Sequence, residues 1–214
     1  MIDDHTISEA VHKLHQEKRN FSQSYDLIIA CKDLNLKNPA EQVEFFATLP
    51  HTLGKRRTVC ALVGPEMIDD AKRAVDLALE QTQFERMEKK DLRKVAAKFD
   101  YFVGQANIMP KIAASFGRVL GPRGKMPNPK AGCIVPPKAP LGPLIERLQK
   151  TVKVSLKKAP TVQTLVGTQA MPEQQVIDNI KALYEQIVHN LPKEENNVRH
   201  VYLKVTMGKP VRLS

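Results

Sequence analysis

No acidic residue occurs between Asp100 and Glu146, and eight of the fifteen prolines fall in that same stretch. Proline fixes φ and lacks a backbone N–H, so it cannot extend a helix interior or a central strand. The second half of the stretch is therefore expected to be an ordered or semi-ordered loop surface. Six cations punctuate it, Lys111, Arg118, Arg123, Lys125, Lys130 and Lys138, with no carboxylate inside it to answer them.

The charge of the whole chain follows the same asymmetry. Its 214 residues carry 33 Lys/Arg against 23 Asp/Glu, a net +10 with a pI near 9.5. Residues 54–149 hold 18 of those cations and 10 of the acids, net +8, leaving +2 for all the rest. A polyanionic partner follows, either nucleic acid or an anionic membrane surface. The absence of Trp and an aromatic share of 5% argue against binding built mainly on stacked bases. Hydrophobic content of 42% supplies real cores, and the length suits one large domain or two small ones. Cys31, Cys60 and Cys133 are odd in number and lack zinc-ligand spacing, so they are expected as reduced, packed thiols. No apolar run reaches the roughly 18 residues of a membrane helix. The opening MIDDHTISEA is acidic and polar, unlike a signal peptide. Neither secretion nor membrane spanning is expected.

Periodicity divides the chain. Ile2–Arg19 is a helix candidate, with Ile7, Ala10, Val11 and Leu14 at helical spacing. Tyr25–Ala30 has strand length, and residues 39–49 form a short amphipathic segment opened by Pro39 at a position suited to a helix's first turn. Towards the C-terminus, Lys150–Leu156 and Thr161–Val166 alternate like strands. Pro172–Leu191 carries a helical stripe of Val176, Ile177, Ile180, Leu183, Tyr184 and Ile187, and Val198–Val205 closes as a strand. The middle has another rhythm: strand Thr58–Val63, helix Glu66–Gln81, helix Lys90–Lys98, strand Tyr101–Val103, helix Ile108–Phe116. That alternation implies a small parallel α/β layer set inside an α+β unit built from both chain ends. His51–Lys55 and the region near Gln149 are the crossings, and two adjacent crossing strands make a natural hinge.

Enzyme motifs fail on inspection. A phosphate-binding loop needs G-x-x-x-x-G-K-[ST], but Val119 stands where the first Gly belongs, and Met126 follows Gly124-Lys125. No G-x-G-x-x-G follows a strand candidate, and no G-x-S-x-G occurs. His12 and His15 have no Cys cluster or third ligand beside them and read as solvated helix residues. Asp69-Asp70 and Glu194-Glu195 read as helix-start or loop charges. No cofactor, metal or catalytic residue is expected.

The most informative run is Leu120–Lys130, LGPRGKMPNPK, a rigid cationic loop that suits either phosphate contacts or packing between elements. It resembles the loop shared by the universal large-subunit ribosomal protein L-one family, the proteins of the mobile L-one stalk. LPHTLGK at Leu49–Lys55, FSQSYD at Phe21–Asp26 and VTMGK at Val205–Lys209 agree in order, covering the chain from about residue 20 to its end. FSQSYD and the short spacing resemble the archaeal and eukaryotic branch.

That resemblance implies a split β-α-β domain from residues 1–53 and 150–214, with residues 54–149 inserted as a three-layer, Rossmann-like α/β domain on a hinge. It implies a non-enzymatic, cytoplasmic ribosomal protein, monomeric when free, that binds large-subunit rRNA mainly through the first domain. It further implies a part in movement and release of exit-site tRNA, and translational repression through a similar structure on the protein's own mRNA. By motif position, the RNA face comprises Phe21, Ser24 and Asp26 with Thr206, Met207 and Gly208. A Thr hydroxyl can meet a 2′-OH or base edge, while Phe21 and Met207 offer flat apolar contact. Phe21 and Met207 fit a packed core as well, and Ser24 an ordinary strand edge. Lys209-Pro210 follows Gly208 where many members place Pro directly, so the turn there is expected to differ. Charge counting points instead to the middle block, so Arg118, Arg123, Lys125 and Lys130 are expected as a secondary contact for RNA or tRNA, or as an interdomain face. Two other readings remain: a free-standing repressor, and an α/β enzyme using LGPRGK as an anion loop.

Overall fold

The computed structural model describes residues 3–16, 19–157 and 159–213. The chain forms two compact units, residues 1–55 with 150–214, and residues 56–149.

The first unit begins with α1 (Asp4–His15), whose Ile7, Ala10, Val11 and Leu14 are all buried, as their spacing requires. Ile2 and residues 17 and 18, the outer part of the expected helix, lie outside the described residues. β1 (Ser24–Cys31) pairs antiparallel with both β8 (Thr161–Thr168) and β9 (Val198–Val205), so those two run parallel to each other with β1 between them. α7 (Glu173–Asn190) connects β8 to β9. This is a split β-α-β arrangement, extended by β10 (Val211–Arg212) on the outer edge of β9. β2 (Val43–Thr48) and β7 (Thr151–Leu156) form a separate antiparallel ribbon. The segment 39–49 therefore holds only one turn of 3₁₀ helix, Pro39–Glu41, before becoming a strand. Pro39 suits a helix start, but the β-branched and aromatic residues of VEFFAT fit the ladder to β7 better.

The stripes of α1 and α7 meet the inner faces of β1, β8 and β9 in one core. Burying a polar side chain there costs free energy unless it is hydrogen-bonded, and Asn179 meets that demand fully. Asn179 of α7 donates from Nδ2 to the Val166 carbonyl at 2.9 Å and accepts from His51 N–H at 3.0 Å. It thereby fastens α7 to β8 and to the chain leaving β2.

The second unit is a parallel sheet in the order β4, β3, β5, β6: Leu77–Glu80, Val59–Val63, Tyr101–Gln105 and Ile134–Val135. Its helices are α2 (Ile68–Ala74), α3 (Gln81–Glu85), α4 (Lys89–Lys98), α5 (Met109–Leu120) and α6 (Gly142–Gln149). All five residues of β3 are buried, the mark of a strand covered on both faces. On one face Cys60, Leu62 and Phe102 pack against α3, α4 and α5, with Phe99 and Phe116 set edge-on or tilted against Phe102 and Phe84 tilted against Phe116. α2 packs on β3 and β4, outside that cluster. The expected helix 66–81 is thus split: α2 ends at Ala74 and LALE pairs with β3 as an edge strand. Leu, Ala and Glu favour helix, yet parallel pairing prevails over that small preference. The proline-rich stretch is loop through most of its second half, interrupted by β6 and ended by α6.

In sheets of this kind, ligands enter the crevice where the strand order reverses, here beyond β3 and β5. There the buried Gln105 side chain bridges the two strand ends, accepting from Gly64 N–H at 2.7 Å. No helix among the described residues is long and apolar enough to cross a membrane.

Candidate nucleic-acid interface

Thr206, Met207 and Gly208 form the turn between β9 and β10, and Phe21 and Ser24 lead into β1 beside it. Antiparallel pairing, with Tyr25 opposite Val205, brings the two segments together across some 180 residues of sequence. Ser24 and Thr206 are joined by several hydrogen bonds. Ser24 N–H donates to Thr206 Oγ1 at 3.1 Å, the hydroxyls lie 3.1 Å apart, and Thr206 N–H donates to the Ser24 carbonyl at 3.1 Å. Gly208 N–H closes the turn on the Val205 carbonyl at 3.1 Å. Lys209 and Pro210 complete the connection before β10 pairs with β9 from Val211.

Phe21 is 51% exposed and Met207 63%, and these are the exposed large hydrophobic residues of the described chain. Neither belongs to the core. Holding such side chains in water is unfavourable, and their occurrence at the two halves of one ledge makes it the candidate contact surface. Asp26 is half-buried on the outer face of β1, where burial raises its carboxyl above the usual range and the paired Lys204 opposes that shift.

Two residues that hold this ledge carry no site signal in the sequence. Gln23 is buried; its Oε1 accepts from Met207 N–H at 3.0 Å, and its carbonyl accepts from Gln169 N–H at 2.9 Å. Gln169 in turn donates to the Leu14 carbonyl at 3.0 Å, tying the ledge to the end of α1. Only the position of Gln23 inside FSQSYD could have hinted at this role. The register also adds Lys204 to the row of Asp26, and Tyr202 and Arg212 to the next row of the same open sheet face.

This ledge, on a split β-α-β unit with a parallel α/β insertion, accompanies a match across most of the chain. A model of the ribosomal protein L1p/L10e family matches residues 12–209. The chain belongs to that family. It is a family of ribosomal proteins rather than of enzymes. Among archaeal relatives, the large ribosomal subunit protein uL1 of Pyrococcus horikoshii is 37% identical over 217 residues, covering 99% of this chain and 97% of that one. Those of Methanocaldococcus jannaschii and Nanoarchaeum equitans are 35% and 36% identical, covering 99% and 92% of this chain and 96% and 93% of their own lengths. The resemblance of FSQSYD and the short spacing to the archaeal and eukaryotic branch agrees with these relatives.

The four cations expected as a secondary surface are not equivalent. Arg118 and Arg123 are exposed, lining one groove with Lys89 and Arg93 of α4 and Ser115 of α5. Lys125 turns inward, its Nζ donating to the carbonyls of Ala96 at 3.1 Å and Phe99 at 2.6 Å. Lys130 is exposed in a turn of 3₁₀ helix whose start is capped by Asn128 Oδ1, which accepts from Lys130 N–H at 2.9 Å.

Proposed function

We propose that the unit formed by residues 1–55 and 150–214 binds large-subunit rRNA through the ledge of Phe21, Ser24, Asp26, Thr206, Met207 and Gly208. The observation that carries this reading is the pair of exposed apolar side chains, Phe21 and Met207, flanking hydroxyls already held in place by Ser24–Thr206 hydrogen bonds. A ledge fixed before binding loses little freedom on association, and its hydroxyls and apolar tips suit the 2′-OH groups and splayed bases of folded RNA. Relatives named as large ribosomal subunit proteins support that partner. On this reading the chain sits in the mobile stalk of the large subunit of the cytoplasmic ribosome, assists movement and release of exit-site tRNA, and represses its own mRNA through a similar structure. It is a monomer when free.

Thr206→Ala and Met207→Ala test the ledge. Each is expected to weaken binding to a large-subunit rRNA transcript by about tenfold, as truncation at the centre of an interface does. Wild-type affinity in both, by filter binding, refutes the placement. The enzyme reading is set aside by the match to a family of ribosomal proteins.

A further inference from the structure

We infer that the groove between α4 and α5 of the second unit is a phosphate-backbone site for structured RNA, formed by Lys89, Arg93, Arg118 and Arg123. It rests on the reading of this chain as an RNA binder but uses a different unit and different residues. The groove has a volume of about 580 Å³ and is open to solvent, with Ser115 offering a hydroxyl between the helices. Lys89 and Arg93 stand one turn apart on α4, while Ser115, Arg118 and Pro122 follow one face of α5 and its continuation. All four cations are exposed, and among the described residues none has an acidic partner within ion-pair distance. Arg123 Nη1 donates to the Arg93 carbonyl at 3.2 Å, so one guanidinium is held at the groove's edge.

Gathering four like charges costs the folded state free energy, and a polyanion laid along the groove removes that cost. The chemistry selects the partner. No aromatic ring lines the groove, which leaves a nucleotide base nothing to stack on. Guanidinium forks and an ammonium along an open channel instead match successive phosphodiesters. The family's ribosomal setting makes RNA the polyanion at hand.

The test uses the full chain and a fluorescein-labelled RNA duplex of arbitrary sequence, with anisotropy followed over about 50 to 200 mM KCl. K89Q/R118Q leaves the Arg123–Arg93 hydrogen bond in place. It is expected to make the slope of log affinity against log salt shallower by about two, one for each phosphate no longer neutralised. K89R/R118K is expected to keep the wild-type slope, which a merely structural role would not require. Should the double variant unfold by circular dichroism, K89Q and R118Q singly each shift the slope by about one. A wild-type slope in the neutralised variants overturns the proposal, as does a loss seen only with phosphatidylserine vesicles and not with the duplex. T206A/M207A separates the two sites. If it leaves rRNA affinity intact the ledge falls and the groove stands, whereas an unaltered duplex slope in K89Q/R118Q removes the groove alone.

Discussion

Gly54 adopts φ +73°, and a Cβ there would lie 2.2 Å from Thr168 Oγ1 and 2.8 Å from Met171 Cγ. The run LPHTLGK is thus a structural device: Leu49 and Leu53 are buried and Gly54 turns the chain where nothing larger fits. Gly54→Ala should cost about 1–2 kcal/mol for the left-handed backbone alone, and more for the clash, read as a lowered melting temperature. The cysteines act at this scale too. All three are free and buried, and burial pushes Cys31 and Cys133 up to about 11 and Cys60 to about 12. At pH 8 only about one in a thousand or fewer is thiolate, so iodoacetamide should label the denatured chain and spare the native one. The sign for stability follows. The folded state keeps these protons where the unfolded state loses them, from the ordinary value of 9.0 upward. Their contribution is complete below about pH 9 and fades as pH rises through the native values, which an alkaline urea titration series would reveal.

Helices show how far pattern reading reaches. The stripes of α1 and α7 were legible because a buried face at 3.6-residue spacing leaves a mark in any order of elements. β2 and β4 were not legible. LALE has helix-favouring residues that only pairing with β3 makes extended, and at β2 the first-turn signal of Pro39 masked the strand-favouring VEFFAT that pairs with β7. The end of α4 gives a test. Lys125 donates to the carbonyls of Ala96 and Phe99 there, satisfying acceptors that the helix leaves open and setting a cation at the negative end of its dipole. Lys125→Ala should destabilise the second unit by about 2 kcal/mol in denaturant melts, with little effect on the salt dependence of RNA binding.

For the molecule as a whole, the two chain ends meet in one unit while the middle folds as another. Thr48 of β2 pairs with Thr151 of β7, and Leu49 N–H donates to the Lys150 carbonyl at 2.9 Å, so the strands entering and leaving the insertion lie side by side. Residues 56–149 should therefore be replaceable by a short Gly/Ser linker, with the remaining unit melting as one cooperative transition by circular dichroism. Multiple transitions or a molten spectrum would show that the outer core in fact depends on the insertion.

The family motifs, the buried stripes and the polyanionic class of partner were written in the sequence, because each depends on residue type and local spacing. Which groups meet was a tertiary decision. Gln23, Gln169 and Leu14 converge only through the pairing of β1 with β8 and the docking of α1. Arg123 and Lys125 look alike in LGPRGKMPNPK, two cations one residue apart. Gly124 between them, at φ +65°, reverses the chain so that one opens into a groove with α4 and the other closes over its end. Charge is a property of the residue, but direction belongs to the backbone that carries it, and that is set by packing between segments the sequence keeps apart.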